Sequence, residues 1–168
     1  MKINAISVAN YFVDLSLQDN VPIHLIGLVK RVYIAHGFSL AIFHKGLLDS
    51  RFDKVEAWKY GPVIPSVYHS FKQFQNNPIT DKAVIMEWQD EQPVFVTPQL
   101  DDDDAKRVCT AVWKRYITCK DSRLVTLTHL DGTPWSIYYK EGANINIPDP
   151  ATQHYYEVLT KICKNYGK

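Results

Sequence analysis

Apolar residues in this chain fall mostly at spacings of three and four, the period at which side chains share one face of an α-helix. Ser7 to Leu17 predicts a first helix, with Ala9, Phe12, Val13 and Leu17 inward and Ser7 as its cap. Gln18-Asp19-Asn20 supplies a turn, and Pro22 suits the first turn of the next helix. From Ile23 to Leu40 two stripes adjoin: Leu25, Leu28, Val32 and Ala35 beside Ile26, Val29, Tyr33 and Leu40. A face that broad predicts a helix central to the core, with Lys30 and Arg31 on its wetter side.

The middle of the chain changes character. Leu47 to Trp58 reads as short extended or irregular structure. Two prolines three apart keep Gly61-Pro62-Val63-Ile64-Pro65 out of any ordinary helix interior. Ser66 then reads as the cap of a short helix to Gln75, with Val67, Phe71 and Phe74 inward. Ala83–Trp88 and Val94–Thr97 predict a small β-hairpin across a polar, proline-containing connection. Asp101 to Asp104 are read as a helix entry, where carboxylates cap and complement the dipole, rather than as a cation site. The helix they open runs to Ile117 with Val108, Ala111, Val112 and Tyr116 apolar. Asp121 or Ser122 caps a further short helix, Pro134 opens a turn carrying Trp135 and Tyr138, and Asp149-Pro150 starts a last helix lined by Tyr155, Val158, Leu159 and Ile162. The expectation is a mainly α, compact bundle of about six or seven helices with a minor β-hairpin. Its core should include Val29, Val32, Tyr33, Val112 and Leu159.

Composition narrows the function classes. With 168 residues, no low-complexity segment and no repeat, the chain reads as one domain over 1–168, with no residues to spare for an appended DNA-binding module. A formal net charge of +1 with scattered Lys and Arg disfavours a phosphate backbone as the main ligand and suits a protein partner. The three cysteines, Cys109, Cys119 and Cys163, form no C-x-x-C pair and read as buried reduced thiols. Asn10 and Asp14 interrupt the apolar run near the N-terminus, so no secretory leader is expected there. No stretch reads as a membrane span, and the cytoplasm is the expected compartment.

Motifs for chemistry are missing. The six histidines form no H-E-x-x-H, no H-x-E and no His–Cys set, and there is no G-x-S-x-G, G-x-G-x-x-G or phosphate-cradling loop. No catalytic residue, metal or cofactor is expected, and an uncharacterised enzyme, its site assembled from scattered residues, is the lesser alternative. His36 and His129 sit among apolar residues, where a lone histidine is usually a hydrogen-bonded core or edge residue.

Four segments carry a resemblance. They are Leu28-Val29-Lys30-Arg31-Val32-Tyr33-Ile34-Ala35-His36-Gly37; Glu56-Ala57-Trp58-Lys59-Tyr60-Gly61-Pro62-Val63-Ile64-Pro65-Ser66-Val67-Tyr68; Leu127-Thr128-His129-Leu130-Asp131-Gly132-Thr133-Pro134-Trp135; and Ile147 leading into Tyr155-Tyr156. In order and spacing the chain resembles the Panacea-domain antitoxins, the SocA-like and GepA-like proteins. The A-W-x-x-G-P-V-x-P-x-V-Y run is the family's most distinctive stretch. Two positions depart from its pattern: Val29 stands where a polar residue is common, and Arg31 where leucine is usual. The resemblance implies a bacterial or prophage antitoxin that neutralises a cognate protein toxin by binding it. In SocA-like members it also implies an adaptor that delivers the toxin to a protease.

The same residues have a plainer reading. Gly61, Pro62 and Pro65 stiffen a loop surrounded by Trp58, Tyr60 and Tyr68, and rigid aromatics bind well because they lose little rotamer entropy. They also plug the end of a bundle equally well. Trp58, Tyr60, Gly61, Pro62, Tyr68, His129, Pro134 and Trp135 are the candidate toxin-binding residues. The Trp58–Tyr68 loop and the Thr128–Trp135 turn are expected to lie close together, with His129 holding the turn by a side-chain hydrogen bond.

Overall fold

A computed structural model describes residues 3–166. In chain order the elements are α1 (Ala5–Asp19), α2 (Leu25–Phe43), β1 (Glu56–Trp58), β2 (Gly61–Val63), α3 (Pro65–Phe71), β3 (Ile85–Gln89), β4 (Gln92–Val96), α4 (Asp103–Tyr116), α5 (Asp121–His129), α6 (Pro134–Tyr138), β5 (Ile145–Asn146) and α7 (Asp149–Tyr166). The fold is mainly helical with minor antiparallel β structure, as the apolar spacing predicts.

α2 is the axis of the molecule, touching α1, α3, α4, α5, α7 and β2. Val29, Val32, Tyr33 and Val112 are buried, and Leu159 is half-buried against the core. α2 is also long and apolar enough to cross a bilayer, contrary to the reading that no stretch is, and 78% of that window is buried within the fold. From Gly27 to Gly37 every residue of α2 is buried, which leaves no wet side over those turns. Lys30 and Arg31 are 2% and 4% exposed, and their polar ends are held inside. The Arg31 guanidinium donates to the Tyr116 carbonyl at 2.8 Å and lies over the Trp113 ring. At the α2–α7 contact, Gly37 lets Tyr156 come so near that an added Cβ would overlap its ring. Tyr156 in turn packs edge-on against Tyr33 and Phe38.

Several boundaries differ from the sequence reading, each for a local reason. α1 starts at Ala5 because Asn4 is the cap; Ser7 is its reciprocal partner, with the Asn4 side chain accepting from the Ser7 N–H at 2.8 Å. α2 starts after His24, so Pro22 precedes the helix. Pro65, not Ser66, opens α3 as its first residue. On α4 the inner face is Ala105, Val108, Cys109, Val112 and Trp113, whereas Ala111 is exposed. Trp113 is fully buried and donates its indole N–H to Asp19 at 2.7 Å. On α7 the buried positions among the described residues are Thr152 and Tyr156, and Val158 and Ile162 face outward. Asp102 caps α4 by accepting from the Ala105 N–H at 2.9 Å, as the acidic run predicts. Cys109 is buried and Cys119 half-buried, both as free thiols, while the side chain of Cys163 lies outside the described residues.

In a three-stranded antiparallel sheet, ordered β2-β1-β5, Glu56 pairs with nearby Val63 on one side and with distant Asn146 on the other. Strands of two or three residues are too short to show a period, so the chain hints only at extended structure there. Pro62 is tolerated because β2 is an edge strand.

The β3–β4 hairpin is tied to α1 by one side chain. The Asn10 amide donates to the carbonyls of Ala83 and Pro98, both at 3.0 Å, and its oxygen accepts from the Ala83 N–H at 2.8 Å. Asn10 is 1% exposed, so all three bonds are made away from water. Asn10→Leu is expected to destabilise the protein by roughly 2–4 kcal/mol, because it strands those backbone groups. Hydrogen exchange should then accelerate across residues 83–98 before the rest of the fold; uniform exchange would argue against a local clamp.

Candidate functional site

The two segments expected to meet do meet. The Trp135 indole on α6 donates to the Trp58 carbonyl at 2.6 Å, linking the β1–β2 turn to the α5–α6 turn. Gly61 explains the closeness on the other flank. Its φ of +101° suits glycine, and an added Cβ would lie 2.9 Å from Lys30 Nζ and 3.3 Å from Thr128 Oγ1. The α5–α6 turn is held by Thr133, whose hydroxyl donates to the Leu130 carbonyl at 2.6 Å and accepts from the Ser136 N–H at 3.3 Å. His129, expected to perform that task, instead packs its ring on Trp135 at 4.0 Å, and Trp135 stacks on Tyr139 at 4.6 Å.

The candidate residues divide by exposure. Gly61, Pro62 and Pro134 are buried and shape the surface; Trp58, Tyr68, His129 and Trp135 are half-buried. Tyr60, at the tip of the β1–β2 turn, is 62% exposed, with Lys59 Nζ over its ring at 5.6 Å. Trp58 and Tyr68 pack edge to face at 5.1 Å, and the Trp58 indole donates to Glu56 at 2.8 Å. Tyr60, Trp58, Tyr68, Val63, Val29 and Ile26 enclose a concave pocket of about 300 Å³ with Lys30 in its wall. The pocket is apolar apart from that lysine and Lys59.

Lys30 is the feature of this site that sequence reading placed wrongly. Its ammonium donates to the Pro62 carbonyl at 2.9 Å, and burial alone pushes its pKa down to about 7. No opposite charge offsets that burial among the described residues. A lysine between apolar stripes gives no sequence signal of this role, because helix periodicity assigns it to the face left over.

A second surface also escaped the sequence reading. Met86, Trp88 and Phe95 are 53%, 68% and 74% exposed on one face of the β3–β4 hairpin, with Met86 paired to Phe95. Two short β-prone runs locate the hairpin. They do not say that the outward face is also apolar.

His36, the other histidine singled out, is a core residue. Its Nδ1 accepts from the Leu47 N–H at 3.1 Å, which leaves Nε2 to carry the proton toward Asp149, also at 3.1 Å. That bond holds the Asp149 carboxyl below its usual range and fixes the start of α7 against α2. Among the described residues, no group of three or more His, Cys, Asp or Glu is placed to hold a metal.

Residues 28–136 match the family model described as antitoxin SocA-like, Panacea domain. The chain is 30% identical over 138 residues to Antitoxin SocA of Caulobacter vibrioides (strain NA1000 / CB15N), covering 80% of this chain and 70% of that protein. No solved structure matches. With about two thirds of its length matched to one family model and most of it aligned to a SocA antitoxin, the chain belongs to the SocA-like, Panacea-domain family of antitoxins.

Proposed function

We propose that this protein neutralises a cognate toxin by direct protein–protein contact, without turnover, acting as one cytoplasmic domain through the surface around the β1–β2 turn. The observation that carries this reading is the pairing of an exposed tyrosine, Tyr60, with an apolar pocket built on a rigid, glycine- and proline-shaped turn. Specific interfaces usually rest on a few aromatic or arginine anchors set in pockets, and anchors that are already ordered lose little entropy on binding. The family membership supports a toxin as the partner. Near-neutral charge makes nucleic acid a poor alternative.

Tyr60→Ala should weaken toxin binding by ~2–4 kcal/mol while leaving the melting temperature nearly unchanged, because an exposed ring contributes little to folding. Toxin titration calorimetry beside thermal melts checks both halves of that expectation. The outward face of the β3–β4 hairpin supports a second reading, with Trp88 and Phe95 as the anchors. Trp88→Ser with Phe95→Ser tests it. If that pair abolishes binding and Tyr60→Ala does not, the toxin sits on the hairpin. Delivery of the toxin to a protease is compatible with either surface, since an adaptor must first hold its cargo.

A further inference from the structure

We propose that the pocket between α2 and the β1–β2 turn receives an acidic side chain of the toxin, its carboxylate pairing with the Lys30 ammonium and its methylenes packing on Trp58 and Tyr68. This rests on the reading of the protein as a toxin-binding antitoxin.

The Lys30 ammonium has more donors than the fold gives it acceptors. An ammonium has three N–H donors, and Pro62 accepts from one of them. The group is 2% exposed, so water does little for the others, and among the described residues no carboxylate forms an ion pair with it. Buried charges in proteins are normally paired, since an unpaired one costs several times what a hydrogen bond returns. Within the fold the amine bonds the Pro62 carbonyl, and an unbranched apolar side chain would fill the same space without that bond. An incoming carboxylate would supply the missing partner.

The shape of the pocket narrows the ligand. About 300 Å³ between Ile26, Val29, Val63, Trp58 and Tyr68 accommodates one side chain, and apolar walls suit a methylene stem better than a hydrated inorganic anion. Lys59 at the rim adds a second positive charge that draws in an acidic group. The acidic residue near the wall, Glu56, is engaged with the Trp58 indole. Tyr60 and Tyr68 complete the titratable groups lining the pocket.

The test uses the full chain and the product of the adjacent reading frame, once its toxicity is shown to be suppressed by this protein. Lys30→Met should fold and should bind that toxin at least ~30-fold more weakly than the parent, the scale on which breaking a buried charge pair acts. One acidic-to-amide substitution in the toxin should cause the same loss against the parent and almost none against Lys30→Met. If Lys30→Met binds within about threefold of the parent, the Lys30 pairing is wrong and direct capture stands. If the parent forms no complex at all, direct capture fails and takes this inference with it. A second readout does not depend on the variant folding. In protein carrying ¹³Cε-labelled lysine, the Lys30 pKa should rise when toxin binds; an unchanged or lower value would mean that no carboxylate has reached it.

Discussion

Lys30→Met is expected to be more stable than the parent at pH 7 by about 2 kcal/mol, and to have lost the parent's rise in stability between pH 7 and 9. The sign follows from the direction of the shift. In the unfolded chain the lysine holds its proton to its ordinary value of 10.5, whereas in the fold it releases it near 7. Between those values the unfolded state binds more protons, so raising the pH favours the fold. Below 7 both states are charged and the full penalty of burying the ammonium is present. Over pH 7 to 9 the parent should gain about 2 kcal/mol from this group. Methionine removes the penalty but also the bond to the Pro62 carbonyl, which is why the net gain at pH 7 is smaller than the shift alone implies.

The window closes above pH 9. Burial holds the Cys109 thiol and the Tyr33 and Tyr156 hydroxyls neutral in the fold, and these groups favour the unfolded chain once it can ionise them. Denaturant melts of both proteins at pH 7, 8 and 9 check the account. Parallel pH dependences would mean that Lys30 is not the group responsible. A variant that is more stable yet captures toxin poorly would show stability given up for binding.

Asp53→Ala should cost ~3–5 kcal/mol, since a buried carboxylate is removed from three donors. Asp53 is 7% exposed; its Oδ2 accepts from the Ala5 and Asp49 N–H groups, both at 2.9 Å, and its Oδ1 from the Ser66 hydroxyl at 2.7 Å. One side chain therefore ties the start of α1, the α2–β1 loop and the start of α3 together. Asp53→Asn keeps one acceptor oxygen for the two N–H groups and turns its amide NH2 to the Ser66 hydroxyl, which can accept, so it should cost less. Equilibrium denaturation of the two variants, with hydrogen exchange read at Ala5 and Asp49, measures this. A loss below about 1 kcal/mol for alanine would show that the donors find other partners.

Sequence period revealed the helices because a buried stripe repeats along a long element. α2 shows both the strength and the weakness of that signal. Its stripes located the core, including Val29, Val32 and Tyr33, but periodicity presumes that every helix keeps a wet side. Packing around α2 removes that side, and so Lys30 and Arg31 were misplaced. The meeting of the β1–β2 turn with the α5–α6 turn was legible from family resemblance and matched loop chemistry, although the bond that makes it, Trp135 to the Trp58 carbonyl, was not. The three-stranded sheet was illegible because each strand holds two or three residues and β1 finds its second partner, β5, far along the chain, with Glu56 opposite Asn146. Asn10 and Asp53 were illegible for a related reason. A polar residue in a core is recognised by the distant backbone groups it satisfies, and these are set only by the fold.

The most direct test of direct capture is neutralisation with purified components alone. The product of the adjacent reading frame, once shown to be a toxin that this protein suppresses, is assayed for its own activity while this protein is titrated in, with no protease, no nucleic acid and no nucleotide present. Inhibition should be stoichiometric and should track formation of a complex seen by calorimetry. Full toxin activity under those conditions, with suppression restored only by adding a cellular protease, would contradict it.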